Sequence, residues 1–399
     1  MNTRFSRAII ASAAAAALVF GATVVAPSWA VPSYPSAAEV AAAKKNVSAK
    51  KAMIARIEKI VQELAVEANK LGRVAQIKGE AFNQAQDAVD AITAKVNSLQ
   101  AQADAANAEA DKAKAQLGQI AAQMYRDGTG GTSLNLFLNA SVADDLLYKL
   151  GAQEKVAQQS DTIYNRSLAK QKYAQSLTDE LAGAKTELAT KATAAKTLFV
   201  EAQTAANAVQ VKVDANNKLN KTFYSQLAVL QNTSAELERQ RAEGLAAEAR
   251  QNAGTSKPVA PELYAVGDAD SGKVQIALDF AKAQLGERYV LGGMGPDVWD
   301  CSGITKAGYA AAGIYIGTHS ATNQFNTMAS ARKLVPLSQA QVGDLMWYSQ
   351  ESSFNGDKYH VVFYLGGDMM LEAPNPARTV RIVPLRYGEL FPYAGRPSA

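Results

Sequence analysis

The sequence predicts an α+β chain in two parts: a long antiparallel α-helical coiled-coil hairpin, then a domain built on an antiparallel sheet. Three observations predict it. Residues 38–250 hold no proline and are dominated by Ala, Gln, Lys and Glu, the composition of long helices. A stretch from 251 to 271 with Pro258, Pro261, Gly254 and Gly267 then breaks the helix. Beyond it, one helical pattern is followed by several apolar runs of period two, the order of an α+β domain.

The N-terminus places the chain outside the cell. Arg4 and Arg7 precede an uncharged run from Ala8 to Ala26 that ends in Ser28-Trp29-Ala30, the pattern of a secretory signal peptide over residues 1–30. The alternative is an uncleaved membrane anchor, against which the Ala-rich run is barely long enough to span. No later stretch is long and apolar enough to cross a bilayer, so the expected location is secreted, in the periplasm or cell wall. The formal net charge of +4 does not call for nucleic acid. One cysteine and two histidines leave no internal disulfide and no zinc cluster, and nothing implies a metal or cofactor. A lone thiol in an oxidising compartment is either catalytic or buried and inert.

The hairpin is predicted from its seams. Steps of three and four residues from Ile54 visit Ile57, Val61, Leu64, Ala68, Leu71, Ala75, Lys78, Phe82, Ala85, Val89 and Ile92. They continue through Val96, Leu99, Ala103, Ala106, Ala110, Ala113, Leu117, Ile120 and Met124, with Lys78 the one charged interruption. A second seam runs Leu188, Ala192, Ala195, Phe199, Ala202, Ala206, Val209 and Val213, then resumes at Phe223, Leu227 and Leu230 after Asn216 and Asn220. Polar seam residues fix register at some cost in stability. The many alanines imply a thin core that needs a partner helix. The second arm supplies it within residues 31–250; a parallel homodimer is the alternative.

The turn between the arms carries unusual apolar weight. Asp127-Gly128-Thr129-Gly130-Gly131-Thr132 stops the first helix, and Leu134, Leu136, Phe137 and Leu138 follow. Ser141 and Asp144 then offer a cap for the return helix with Leu146, Leu147 and Leu150. This tip lobe, near 126–150, either closes on itself or meets another protein.

The remaining domain, residues 272–399, opens with a helix capped by Ser271 and bearing Val274, Ala277, Leu278, Ala281 and Leu285, ended by Gly286. Strands are predicted at 344–348, 360–365, 369–372 and 380–385. Its chemistry gathers at Asp300-Cys301-Ser302-Gly303, where a helix begins with Ile304, Ala307, Gly308 and Ala311 on one face. A thiol at a helix N-terminus is stabilised as thiolate, and the same amides can hold an oxyanion. A base must then be His319 or His360. His360 opens a strand that turns at Gly366-Gly367-Asp368 into Met369 to Glu372. A three-residue loop puts His360 and Glu372 on one face as diagonal neighbours; a two-residue loop without a bulge separates them. Glu372 is then either the orienter of the imidazole or an ordinary solvated carboxylate.

Two resemblances sharpen this reading. Met124-Tyr125-Arg126, the Gly-rich turn, Leu134 to Leu138 and Ala143 to Leu147 resemble the coiled-coil domain of peptidoglycan-hydrolase regulators and division hydrolases. Such proteins are recruited by the membrane complex FtsEX, the partner implied for the tip. Tyr289-Val290-Leu291-Gly292-Gly293, Asp300 to Gly303, Gly343-Asp344-Leu345, His360-Val361 with Tyr364-Leu365-Gly366, and Glu372-Ala373-Pro374 resemble the NlpC/P60 peptidases in order and spacing. That resemblance implies a papain-like core and cleavage of peptidoglycan stem peptides, usually at the bond between γ-D-glutamyl and a diamino acid such as meso-diaminopimelate. It implies Cys301 as nucleophile, His360 as general base and Glu372 as orienter, with Tyr289, Asp300, Ser302 and Ser320 toward substrate. Glu372 with the signal peptide and coiled coil is most similar to the Rip-type actinobacterial endopeptidases. Thr318-His319-Ser320 departs from the Arg-Thr-Ser of many relatives, leaving His319 as a ligand contact or a surface residue. The competing readings are a non-catalytic coiled-coil adaptor or regulator of another hydrolase, and a thiol enzyme that performs acyl transfer or hydrolyses another amide. The two-part layout also suggests regulation of the enzyme by its own arm.

Overall fold

The computed structural model describes residues 34–126, 143–252 and 256–399. The expected signal peptide and residues 127–142 of the expected tip lobe, Ser141 included, lie outside the described residues. A short helix α1 (Ala37–Ala43) leads into α2 (Val47–Arg126) and α3 (Ala143–Gln231), the two arms of the hairpin, and α4 (Ala235–Asn252) follows. At 1.5 Å per residue α2 is about 120 Å long.

The arms run antiparallel and pair within the one chain. Ion pairs step in opposite directions along them: Lys212–Glu67, Lys78–Glu201 and Lys170–Glu109, each at 2.7 Å. Such exposed pairs add little energy but report the register. Stability comes from the seam, where Ile92, Val96, Leu99, Ala103, Ala106 and Ala110 bury against Ala174, Leu177, Leu181 and Ala184. Nearer the termini, Ile57 and Leu64 bury against Phe223, Leu227 and Leu230, with Val40 of α1 closing the end. Asn216 is buried on its seam and its side-chain amide donates to the Leu64 carbonyl at 2.8 Å, which fixes the register as the sequence suggests.

The linker expected at 251–271 is not a free tether where it is described. The Tyr264 hydroxyl accepts from the Leu334 amide at 3.1 Å, the Gly267 carbonyl from Arg396 at 3.0 Å, and the Ala269 amide donates to Gln341 at 2.9 Å. These bonds lay the strap along the last domain.

That domain begins with α5 (Ser271–Ala283), whose N-cap is Asp270 and not Ser271: its carboxylate accepts from the amides of Gly272 and Lys273. Strands β1 (Arg288–Tyr289) and β2 (Val298–Trp299) pair in parallel beside it. Helices α6 (Cys301–Ala311) and α7 (Ala321–Ser330) come next. The remaining strands are β3 (Leu334–Pro336), β4 (Leu345–Tyr348), β5 (His360–Gly366), β6 (Met369–Glu372), β7 (Arg381–Pro384) and β8 (Leu390–Gly395). They form one antiparallel sheet in the order β3-β8-β4-β5-β6-β7. One face packs on α5 and α6 through Leu278, Ile304, Tyr309, Val361 and Phe363. The other buries Met346, Tyr348, Val362 and Met370, with Ile77 of α2 packed against it.

Four strands match expectation within a residue or two, while β3, β8 and the short β1 and β2 are additional. β8 escapes pattern reading because Pro392 interrupts it. The proline lies where the β4–β8 register shifts, so its missing N–H costs no ladder bond.

Candidate active site

Cys301 opens α6 and is 6 % exposed. The helix starts there because Asp300, in extended backbone, accepts the Gly303 amide at 2.8 Å on its carboxylate. Gly303 has no room for a Cβ, which would strike the Gly293 carbonyl, so the 290–293 loop packs directly on the helix N-terminus. The sulfur lies by the amide N–H of Val361, the residue after His360. Burial, then the charges of Asp300 and Glu80, push this thiol well above its ordinary value; the amides of Val361 and Ser302 pull the other way and lose. The lowered value expected of a helix N-terminus is therefore not found, because the position is desolvated and flanked by carboxylates.

His360 and Glu372 are brought together. Gly367 and Asp368 form a two-residue turn, both with φ +55°, as a type I′ hairpin requires. The register shift between Tyr364 and Gly366 supplies the bulge that keeps His360 and Glu372 on one face. His360 Nε2 lies 2.9 Å from Glu372 Oε2, with both residues fully buried. A carboxylate only accepts, so Nε2 carries the proton. His360 Nδ1 is then a buried lone pair, and it has no hydrogen-bond partner among the described residues.

Two arginines that the sequence reading passed over hold Glu372. Arg381 donates to Oε1 through Nε and a terminal nitrogen, at 3.1 and 2.8 Å. Arg386 bridges both oxygens, at 3.0 Å to Oε1 and 2.9 Å to Oε2. Burial opposes the Glu372 charge, but Arg386, His360 and Arg381 hold the carboxyl well below the usual range. Burial also pushes His360 below its ordinary value, against the pull of Glu372.

The residues expected toward substrate converge on the same cleft. Asp300 and Ser302 are buried and bonded to each other at 3.2 Å, and Tyr289 is 7 % exposed. Ser320 caps α7 by accepting the Asn323 amide at 3.0 Å. His319 is not a surface residue: its Nε2 sits 2.7 Å from Asp300 Oδ1. Burial lowers it, but the Asp300 carboxylate outweighs that and leaves it above the ordinary histidine value.

The cleft is filled by α2. Gly72, Arg73, Gln76, Gly79, Glu80, Asn83, Gln84 and Asp87 recur at helical spacing on a stripe separate from the seam. Arg73 pairs with Glu389 at 2.6 Å, and Gln76 donates to the Pro374 carbonyl at 2.5 Å. Gly79 lies where a Cβ would stand 3.0 Å from Leu291 and 3.7 Å from the Tyr289 hydroxyl. The Asn83 amide reaches Asp300 and Ser302, each at 3.4 Å. The Thr318 hydroxyl donates to Asp87.

Glu80 is the centre of this contact, at 4 % exposure. Its carboxylate accepts the Ser320 hydroxyl at 2.6 Å and the amides of Ala321 and Thr322 at 2.9 and 3.0 Å, at the N-terminus of α7. Burial raises it to about 7 despite those donors, since no lysine or arginine is paired with it among the described residues. Sequence reading missed this stripe. Its one local signal was Gly72 and Gly79, two helix-interior glycines seven residues apart, each costing about 1 kcal/mol relative to alanine unless a close approach needs it.

Comparison with known proteins gives a family match within the last domain. The model of the NlpC/P60 family matches residues 286–390. Peptidoglycan endopeptidase RipA of Mycobacterium tuberculosis is 36 % identical over 104 residues, covering 26 % of this chain and 20 % of that protein. Peptidoglycan endopeptidase RipB of the same organism is 32 % identical over 136 residues, 31 % of this chain and 52 % of that protein. A gamma-D-glutamyl-L-lysine dipeptidyl-peptidase of Bacillus cereus is 32 % identical over 119 residues, 30 % of this chain and 34 % of that protein. The chain thus spans between a fifth and about half of these relatives' lengths. Residues 286–390 are an NlpC/P60 domain, and the helical hairpin lies outside the match.

Proposed function

We propose that the chain is a secreted peptidoglycan endopeptidase that hydrolyses stem peptides with Cys301, His360 and Glu372, and that its own coiled coil restrains it. The observation that carries the catalytic reading is the unpartnered Nδ1 of a buried histidine whose Nε2–H is committed to a buried carboxylate. In the proposed reaction the Cys301 proton passes to that Nδ1 as sulfur bonds to the peptide carbonyl carbon. The carbonyl π pair moves to oxygen, which the amides at the start of α6 receive. Collapse breaks the C–N bond, and the imidazolium returns its proton to the leaving amine. Water, deprotonated by His360, then bonds to the acyl carbon, the C–S bond breaks, and the proton on Nδ1 returns to the Cys301 sulfur as the acid is released.

The proposed bond joins γ-D-glutamyl to meso-diaminopimelate. One relative is named for a γ-D-glutamyl bond, and Ser320 with the amides that start α7 already receives a glutamate carboxylate, that of Glu80. Tyr289, Asp300, Ser302 and Ser320 form the proposed substrate wall.

Restraint by the coiled coil is supported by what α2 does to the site: it covers the site, and Glu80, where it is ionised, opposes the thiolate. Activation then requires α2 to leave. The FtsEX complex acting at the hairpin tip is the proposed trigger, for cell-wall remodelling and cell separation outside the cytoplasmic membrane.

The test is digestion of purified muropeptides by the full chain and by its Glu80→Lys variant, with products identified by mass and Cys301→Ala as control. The expected result is slow cleavage at the γ-D-glutamyl bond, fast cleavage by the variant, and none without the thiol. Intact muropeptides in every arm would refute the endopeptidase reading and favour a non-catalytic adaptor. His360→Ala should abolish turnover.

A further inference from the structure

Glu372 has more cationic partners than an orienter needs. A buried carboxylate facing an imidazole alone favours the imidazolium, since the pair attracts strongly where water is excluded. His360 would then hold its proton near neutral pH and offer no lone pair to the thiol. Two guanidiniums, which stay protonated under all ordinary conditions, bond to Glu372 from β7 and from the segment after it, using four N–H···O contacts of 2.8 to 3.1 Å. Two positive charges thereby meet one negative.

We propose that Arg381 and Arg386 are positioning residues of the catalytic centre: by offsetting the pull of Glu372 they let the buried His360 stay a neutral Nε2–H imidazole, so that Cys301 is activated by proton transfer during attack and not as a standing thiolate–imidazolium pair.

The groups facing His360 support this. They are Glu372 on β6, Arg381 on β7, Arg386 beyond it, and Tyr348 on β4, whose ring centre lies 5.7 Å away. Burial pushes the Tyr348 phenol up to about 12, so it brings no charge near neutral pH. The nearest shell is one negative and two positive charges. Burial holds His360 below its ordinary value; Glu372 pulls it up, and Arg386 and then Arg381 oppose that pull. Arg386 is itself fixed, with its guanidinium 4.8 Å from the centre of the Tyr348 ring and its amide donating to the Tyr348 hydroxyl at 3.2 Å. A pair that merely stapled β7 to the sheet would not need both guanidiniums on the one carboxylate that meets the histidine.

The inference rests on His360 being the base, and its test separates the two. The chain has only two histidines, so their imidazole signals can be followed by NMR across pH in the full chain, with His319 as internal control. In Arg386→Met the His360 midpoint should rise by about one unit, tenfold in proton affinity. Arg381→Met should raise it less, and Arg386→Lys should restore much of the difference. In the Glu80→Lys background, the acid limb of kcat/KM should move up by the same amount, cutting the rate at pH 6 about tenfold while leaving that at pH 8 within about threefold. A His360 midpoint that stays put or falls in Arg386→Met and Arg381→Met, with His319 unchanged, overturns the inference. Should Arg386→Met fail to fold, Arg381→Met and Arg386→Lys decide it by the same readout. Titration as expected with no muropeptide cleaved would leave the arginine roles standing and remove the endopeptidase reading.

Discussion

Two stretches of one helix teach different lessons. Between Ile92 and Ala113, α2 buries a single stripe against α3, and its other faces are solvated. Between Gly72 and Asp87 it buries two: the seam still faces α3, while Gly72, Gly79, Glu80 and Asn83 are buried against the NlpC/P60 domain. The first stretch is a scaffold whose residues need only be apolar and small. The second acts as a ligand, with a carboxylate, an amide and two missing side chains matched to a cleft whose sequence lies more than 200 residues away. An arm that served only as a spacer would have no use for a buried, unpaired glutamate.

The comparison breaks most sharply at Glu80. Glu80→Lys places an ammonium against the α7 amides, which only donate, and against the Ser320 hydroxyl, which already accepts the Asn323 amide. An uncompensated buried charge costs about 3 kcal/mol or more, so docking should weaken on the order of 100-fold. Muropeptide turnover by the full chain should rise toward that ratio, and Cys301 alkylation should accelerate with it. Unchanged rates would mean that α2 does not restrain the enzyme. The same charge at exposed Lys112, on the scaffold stretch, is already tolerated.

Acidity should sharpen the difference next. Docking raises Glu80 from 4.5 to about 7, so the docked state takes up a proton. The contact is therefore tightest below 4.5 and weakens as pH rises toward 7, by a factor approaching tenfold per unit. Asp87 is also raised on docking, first by burial, and acts with the same sign. The ratio of Glu80→Lys to wild-type turnover should fall as pH climbs from 5 to 7, and Glu80→Gln should flatten most of that slope. A ratio independent of pH in the wild type would show that Glu80 docks as an anion throughout.

How much of this was legible in the sequence follows the same division. The seams, the hairpin, α6 at Cys301 and the His360–Glu372 strand pair are encoded by local spacing, and the structure has them where the pattern puts them, except that Ala192 and Phe199 of the second seam are exposed. Even the bulge needed to align His360 with Glu372 was framed as a condition on the loop. The Arg381 and Arg386 clamp was illegible because each reaches Glu372 from another strand or beyond it, and nothing local marks an arginine as turned inward. The Glu80 stripe was illegible for a deeper reason. In an Ala-rich heptad helix any off-seam polar residue reads as solvated, and its burial is decided by a distant domain. Gly72 and Gly79 were its local signal, and they do not stand out in arms that also hold Gly118 and Gly183.

Gly79 gives a smaller and two-signed effect. Gly79→Leu restores helix propensity, worth about 0.8 kcal/mol to the hairpin. It also drives a side chain into Leu291 and toward Tyr289, an overpacking cost of about 1 to 3 kcal/mol on the docked contact. The thermal midpoint of the hairpin should hold or rise while full-chain turnover increases up to about tenfold. A loss of both would identify Gly79 as a requirement of the helix and not of the docking.

The smallest effect on turnover is expected where the helix is only a scaffold. Leu177 is buried in the seam against the Ile92–Ala110 stretch and takes no part in the contact with the NlpC/P60 domain. Leu177→Ala should destabilise the hairpin by about 2 kcal/mol, seen as a lower thermal midpoint. Turnover should stay within about twofold, because docking draws on the stripe 72–87 and not on the arm's distant packing. If turnover instead rose as far as in Glu80→Lys, restraint would depend on the stiffness of the whole arm, and loosening α2 anywhere along its length would suffice to free Cys301.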